Sequence, residues 1–376
     1  MMRIGVVSTY PPIECGIATY TGYLTDSLLA QGNELHIASQ FGGSGEKVYP
    51  VFDSDDPDLA EKVFRIMVKF TPDVVHIQHE YGLFGSPEGL NCIPLVYRFK
   101  LARIPVVITL HTVYEHISEG KRIVLDALLR GVNGIIVHQE YQKETILREV
   151  GQFDNIRVIP HGARELERVP DAKRKMGLDK DMKVILLCGY FRRTKGMDRI
   201  IRIFPEIVKK VENAVLVIAS KLRREEHQDY RDELLRIAEN SPVAEKIHIL
   251  KGGIPQDVFD TVVSAADVIP LPYQKGAQSG ILAHCLAFGT PVVVSPAVRS
   301  LRETVAEANC GFVAENDDEF VECIAGILTD DNLRKQLSKN AMGYVKNTRS
   351  WKLIAEKTME FYEELTETPH VRVRYV

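Results

Sequence analysis

Arg192, Arg193 and Lys195 place three cations within four residues, with Gly189 before them and Gly196 after them. A guanidinium grips two oxygens of an anion at once and an ammonium acts as a point charge, so the group is suited to holding an anion. The segment GYFRRTKG follows an apolar strand-like run, 184–188, and precedes a helix expected to begin near Asp198. In a parallel α/β domain such a junction lies at the carboxyl edge of the sheet. There, glycine lets a ligand approach the backbone, and the helix N-terminus adds positive potential. A solvated basic loop would have the same composition. A matching junction in the other half of the chain argues against it. The segment TYPPIECGIATYT, 9–21, follows a strand expected over 3–8; Pro11 and Pro12 hold it extended, and Gly16 admits the chain to a helix expected over 17–30. It lacks the glycine spacing of a dinucleotide fingerprint or a Walker phosphate loop. Two such junctions, each opening a domain, point to a clefted enzyme.

The elements that must carry these junctions alternate along the whole chain. Strand-like runs fall at 3–8, 34–38, 74–78, 106–110, 134–137 and 157–159, with helical periodicity between them at 59–70 and 123–130. The rhythm restarts at 184–188 and continues at 215–219, 247–250, 268–271 and 291–294. This is an α/β pattern of parallel sheets covered on both faces. A length of 376 residues exceeds the usual size of one core, so two domains are expected, divided within 163–182, a polar stretch that holds Pro170 and Gly177. Composition is that of a soluble globular protein, 45% hydrophobic and 26% charged. A net charge of -4 gives no general attraction to nucleic acid, and none is expected as a partner. No apolar run reaches membrane-spanning length and no signal peptide precedes the first strand, so a cytoplasmic location is expected. The six cysteines, at 15, 92, 188, 285, 310 and 323, form no CxxC pair; they read as buried thiols, with neither a zinc site nor a disulfide framework.

In their order along the chain, several segments resemble the retaining glycosyltransferases of family 4. PPIECGIATYT is similar to that family's N-domain glycine loop, and VVITLHT, 106–112, to its strand ending in a histidine. VIPHGA, 158–163, is similar to the interdomain segment, and GYFRRTKGMD to the first strand-turn of the donor domain. SGILAHCLAFGTPVV, 279–293, is similar to the helix and strand at the nucleotide-sugar site, and SWKLIAEKTMEFYEEL, 350–365, to the terminal helix. The resemblance implies a GT-B fold, two facing Rossmann-like domains with a C-terminal helix crossing back to the first. It sets an acceptor-side domain at 1–165, a donor domain at 166–349, and the returning helix and tail at 350–376. Separate ligand-binding turns in two domains imply closure, with Gly162 and the Ser350 region near the hinge.

The resemblance also implies a nucleotide-diphosphate sugar as substrate, a carbohydrate or other hydroxyl compound as acceptor, and no cofactor or metal. Loss of a diphosphate leaving group requires charge stabilisation, a catalytic role that falls to Arg192 and Lys195, with Arg193 sharing it or facing solvent. Gly16, Lys221, Gln278, Ser279 and the backbone N–H groups of Gly280, Ile281 and Leu282 are expected around the donor. In the family the histidine that matches His111 contacts the transferred sugar; taken by itself, a histidine is more often a structural residue with a satisfied hydrogen bond. Glu80 and Tyr81 are expected to bind acceptor hydroxyls, capping or loop packing being the alternative. No general base is assigned, because the leaving phosphate itself accepts the acceptor proton in a front-face mechanism. Many family members carry two glutamates, with seven residues between them, where this chain has Gly276 and His284. A neutral His284 is therefore expected at the ribose, or else packed from its helix against the preceding loop, with sugar recognition passing to Gln274, Lys275 or Gln278. Asp53, Ser54 and Asp55 spell an Asp-x-Asp metal motif but precede Pro57 and a helix, so they read as caps. Arg223 and Arg224 are expected to pair with Glu225 and Glu226 or to face solvent. The tail 370–376 fits a strand, a flexible end or a peripheral membrane contact, and the oligomeric state is not legible. A phosphorylase holding inorganic phosphate at the cations and a sugar-nucleotide-binding scaffold without turnover are the competing functions.

Overall fold

A computed structural model describes residues 1–222, 225–250, 254–276 and 279–367. The chain divides into two units, Met1–Gly162 with the chain from Trp351 onward, and Ala163–Ser350.

The first unit is built from β1 (Arg3–Ser8), α1 (Gly16–Ala30), β2 (Glu34–Gln40), β3 (Val48–Phe52), α2 (Leu59–Met67), β4 (Val74–His79), α3 (Cys92–Leu101), β5 (Val106–Leu110), α4 (Glu119–Leu129), β6 (Gly134–Val137), α5 (Glu140–Glu149) and β7 (Ile156–Val158). Its seven strands are parallel, in the order β3-β2-β1-β4-β5-β6-β7. The strands are apolar runs because helices cover both faces. Val75, Ile77, Ile108 and Ile135 enter one core, while the alternating Val74, Val107 and Ile136 enter another. That second core holds Tyr20, Leu24 and Leu28 of α1, together with Ile354, Ala355, Phe361 and Tyr362 of the terminal helix, Trp351–Glu367.

The second unit comprises α6 (Ala172–Lys175), β8 (Lys183–Tyr190), α7 (Met197–Lys210), β9 (Ala214–Lys221), α8 (Gln228–Glu239), β10 (Ile247–Ile249), α9 (Gln256–Ala265), β11 (Ile269–Leu271), α10 (Gly280–Ala287), β12 (Val292–Val294), α11 (Arg299–Ala308), β13 (Gly311–Val313), α12 (Asp317–Thr329) and α13 (Asp331–Tyr344). Strands β10-β9-β8 and β11-β12-β13 form two parallel runs, linked by a parallel bridge between Ile185 and Val268. Val184 and Leu186 enter one core with Leu282 and Leu286 of α10, and Ile185 and Leu187 enter another with Ile200 and Phe204 of α7.

Both units share one topological device. β1 lies between β2 and β4, and β8 lies between β9 and β11, so the chain builds out on one side of each opening strand first and later crosses to its other side. A crevice opens at such a switch point, beyond the carboxyl end of the strand. The loop leading to Gly16 leaves β1 there, and the turn with Arg192 and Lys195 leaves β8 there.

The Asp-x-Asp segment is not the cap of α2. Asp58 occupies the N-cap position and makes no side-chain cap bond, while Asp55 accepts the Ser86 N–H at 3.1 Å across the loop. The six cysteines are free thiols, five of them buried. Among the described residues no group of three or more His, Cys, Asp or Glu could hold a metal ion, and no helix is long and apolar enough to cross a membrane. Arg223, Arg224 and the tail 370–376 lie outside the described residues.

Candidate functional site

The turn between β8 and α7 is anchored at both ends. Phe191 is buried, and the Lys195 N–H donates to the Arg192 carbonyl at 2.9 Å. At Gly196 φ is +61°, and a Cβ there would stand 2.3 Å from the Pro272 carbonyl oxygen, so only glycine lets the turn close against the chain leaving β11. A bond of 2.8 Å from Gln274 N to Thr194 O fastens the same two segments.

The three cations of this turn differ in their surroundings. Arg193 is exposed, pairs with Glu233 at 2.7 Å and lies 4.8 Å from the Tyr230 ring centroid. Neither Arg192 nor Lys195 has a carboxylate partner among the described residues, and the buried Nε of Arg192 has no hydrogen-bond acceptor. The Lys195 ammonium stands 3.4 Å from the centroid of Tyr273; burial, and then the Arg192 guanidinium, push it down to about 7. Tyr273 in turn meets Ser279 through their hydroxyls at 3.1 Å, and Ser279 caps α10 by accepting the Leu282 N–H at 3.3 Å. Gly189, at φ +119°, lies so close to α10 that a Cβ there would be 3.4 Å from Cγ1 of Ile281. A Cβ at Gly280 would meet nothing within 4 Å, which leaves the first turn of α10 approachable. The exit of β8 and the positive end of α10 are thus held together.

Other expected donor contacts are placed differently. Lys221 ends β9 opposite Tyr190, its ammonium 5.7 Å from that ring centroid. Nδ1 of His284 faces the Arg164 guanidinium at 3.4 Å, which leaves the proton of the neutral ring on Nε2. Arg164 is itself held by a two-pronged ion pair to Asp260, at 2.9 and 2.6 Å. Gln274, Lys275 and Gly276 are exposed, and Gln278 lies outside the described residues.

In the first unit Gly16 opens α1, but the cap is Cys15, whose Sγ accepts the Ala18 N–H at 3.2 Å. His111 follows β5, its amide donating to the His79 carbonyl at 3.1 Å. It is not an isolated histidine. It is 7% exposed, with Nε2 2.8 Å from Gln78 Oε1, Nδ1 3.4 Å from His138 Nε2, and the Tyr20 ring set edge-on at 4.6 Å. Burial, and then the neighbouring imidazoles, hold its pKa well below the ordinary histidine value, so the ring is neutral. Glu80 accepts the Thr112 hydroxyl at 2.5 Å. Tyr81 packs instead of lining a cleft: its ring belongs to the apolar core, edge-on to His79 at 5.3 Å and beneath the Lys121 ammonium at 5.0 Å.

Two family descriptions match in tandem, Glycosyltransferase Family 4 over residues 15–164 and Glycosyl transferases group 1 over residues 169–344. The chain is 31% identical over 400 residues to the uncharacterised glycosyltransferase MJ1607 of Methanocaldococcus jannaschii, covering 96% of this chain and 98% of the relative. The chain is a family 4 glycosyltransferase. The fold of this glycosyltransferase is GT-B. It matches sucrose-phosphate synthase of Thermosynechococcus elongatus with a TM-score of 0.79 at 18% identity, covering 98% of this chain and 100% of that one. It also matches Alr3699/HepE of Anabaena, solved with UDP, with a TM-score of 0.76 at 16% identity over 97% and 100% of the two chains. Sequence reasoning missed Tyr273, Cys15, Arg164 and the histidines around His111. Of these only the histidines left a signal, in VHIQH, VHQ and IPHG at successive strand ends.

Proposed function

We propose that this glycosyltransferase takes a nucleotide-diphosphate sugar as donor and transfers the sugar, with retention, to a hydroxyl acceptor. The observation that carries the reading is the pair Arg192 and Lys195, two cations at a switch point that no carboxylate neutralises among the described residues. Arg193, in the same turn, shows what a cation without a ligand to serve does: it pairs with Glu233. Holding a half-buried Lys195 beside Arg192 disfavours its charge, and a bound diphosphate would offset that penalty. HepE has been solved with UDP and with UDP-glucose, which supports uridine diphosphate sugars as the first donors to test.

In the reaction the bond from the anomeric carbon to the diphosphate oxygen breaks, and the acceptor oxygen bonds to the same face of that carbon. The acceptor proton passes to a phosphate oxygen of the departing nucleotide. Arg192, Lys195 and the start of α10 stabilise the charge gathered on the diphosphate. Two fixed cations at that point support metal-independent turnover, so chelation with EDTA leaves the rate unchanged. The buried free thiols suit a reducing compartment, which supports a cytoplasmic location.

A thermal-shift panel of nucleoside diphosphates and nucleotide sugars tests the donor site, since a ligand at a hundred times its Kd stabilises the folded protein by about 2.7 kcal/mol. The donor that shifts melting is then incubated with a pool of hydroxyl acceptors, and the product anomer is read by NMR. Failure of every nucleotide to bind refutes the reading, and an inverted anomer refutes retention.

A further inference from the structure

A chain of buried polar groups runs through the first unit from the terminal helix to β7. The Tyr362 hydroxyl lies 2.5 Å from His76 Nδ1, and His76 Nε2 lies 2.7 Å from Thr109 Oγ1 and 3.2 Å from the Gln78 amide nitrogen. The Gln78 oxygen is 2.8 Å from His111 Nε2, His111 Nδ1 is 3.4 Å from His138 Nε2, and His138 Nδ1 is 2.9 Å from the Ile159 carbonyl.

Hydrogen counting decides how this chain is protonated. A carbonyl only accepts, so His138 carries its proton on Nδ1 and, when neutral, presents a bare Nε2 to His111. With the Gln78 oxygen facing His111, His111 must donate from Nε2, and its own bare Nδ1 then opposes that bare nitrogen. Only an imidazolium at one of the two rings would mend this contact, and both rings are buried, 7% and 1% exposed, where an uncompensated charge is costly. The oxygen and nitrogen of an amide are nearly isosteric, so a half-turn of the Gln78 amide exchanges them without moving another atom. Every link is then satisfied in one direction. Tyr362 donates to His76 Nδ1, His76 Nε2–H donates to Gln78 and Thr109, Gln78 donates to His111 Nε2, His111 Nδ1–H donates to His138, and His138 donates to Ile159.

We propose that Gln78 is a positioning residue that holds His111 neutral with its proton on Nδ1, within a relay anchored by Tyr362 and the Ile159 carbonyl. The Nδ1 proton sits on the longest link of the relay, 3.4 Å, where a ligand oxygen would compete with His138 for it. The functional half of this inference rests on the reading of the chain as a sugar transferase with His111 against the sugar; the tautomer does not.

Long-range proton–nitrogen NMR on the full chain, with its histidines labelled with nitrogen-15, tests the relay. His111 and His138 are expected as Nδ1-protonated neutral rings and His76 as Nε2-protonated. An Nε2-protonated His111 overturns the relay, whatever the activity. In Gln78→Glu the carboxylate draws a proton to His111 Nε2, so the tautomer signature changes. Turnover is expected to fall roughly tenfold or more while nucleoside diphosphate affinity, read in the other unit, stays within about twofold. A changed signature with unchanged turnover overturns the positioning role. Absence of turnover in the unaltered protein refutes the transferase reading and leaves the tautomer result standing.

Discussion

Arg193 and Lys195 stand two positions apart, yet one is neutralised by Glu233 in the open and the other is half-buried beside a second cation. Removing a charge that a ligand alone compensates should be felt at the ligand. Arg192→Ala and Lys195→Ala are each expected to weaken donor binding or transition-state stabilisation by about 1.5–3 kcal/mol. Arg193→Ala removes a charge that Glu233 already neutralises in the open, so donor binding should stay close to that of the unaltered protein. Calorimetric titration of the three variants checks the ranking; equal losses at all three positions would reject it. The pH dependence follows from the same contrast. Lys195 titrates at about 7 in the free protein, while the phosphates of a nucleotide sugar are diesters that stay ionised across neutral pH. Binding therefore takes up a proton above about pH 7, and affinity should fall as pH rises there, by at most about tenfold per unit. In Lys195→Arg the cation does not titrate, so the slope should vanish. Stability has the opposite sign: between the folded value of about 7 and the unfolded 10.5 the unfolded chain binds the extra proton, so the unliganded fold gains stability as pH rises.

At the scale of elements, the strand-turn-helix junctions were legible because apolar runs, glycines and cations each mark the chain locally. That both junctions lie at switch points was not, since it depends on β4 crossing to pair with β1 and on Val268, just before β11, bridging to β8. The same crossover brings Tyr273 under Lys195, a contact with no local signature, and ties Thr194 to Gln274. The contact between His284 and Arg164 was hidden for a related reason, because Arg164 lies far back in sequence. For Tyr81 the sequence left acceptor binding and packing both open, because an aromatic after a strand can turn either into the core or outward, and here its ring lies in the core. Two glycines separate structural need from ligand access. Gly196→Ala forces a Cβ to within 2.3 Å of the Pro272 carbonyl at positive φ, so it should destabilise the second unit by more than about 1 kcal/mol and lose donor affinity with it. Gly280→Ala meets open space, so its stability should stay within about 0.5 kcal/mol while donor affinity alone falls. Urea unfolding beside donor titration distinguishes the two, and unchanged affinity in Gly280→Ala would remove the first turn of α10 from the site.

At the scale of the whole molecule, the chain leaves its first unit after Gly162 and returns to it at Trp351, so that unit is complete only when the last helix is made. Ile354, Ala355 and Tyr362 of that helix are fully buried, and Phe361 nearly so, in the core that α1 shares. Arg157 and Glu364 form an ion pair at its rim. Burying a large apolar side chain is worth about 1.5–3 kcal/mol, while a domain's whole stability is only about 5–15 kcal/mol. A chain ending at Ser350 would therefore forfeit most of the stability of the first unit and expose the apolar face of α1. It is expected to lose one cooperative unfolding step in urea and to bind a hydrophobic dye, where the full chain does not. Tyr362→Phe separates the two contributions of the helix. The ring stays buried, but His76 Nδ1 loses the hydroxyl 2.5 Å away, an unsatisfied buried nitrogen worth about 1–3 kcal/mol. Burial already holds His76 down to about 3, so the ring cannot escape this cost by taking a proton near neutral pH. Tyr362→Phe should thus keep both unfolding steps and shift only the one belonging to the first unit toward lower urea. A truncated chain that keeps both steps would show that the terminal helix is an addition to the first unit and not part of its core.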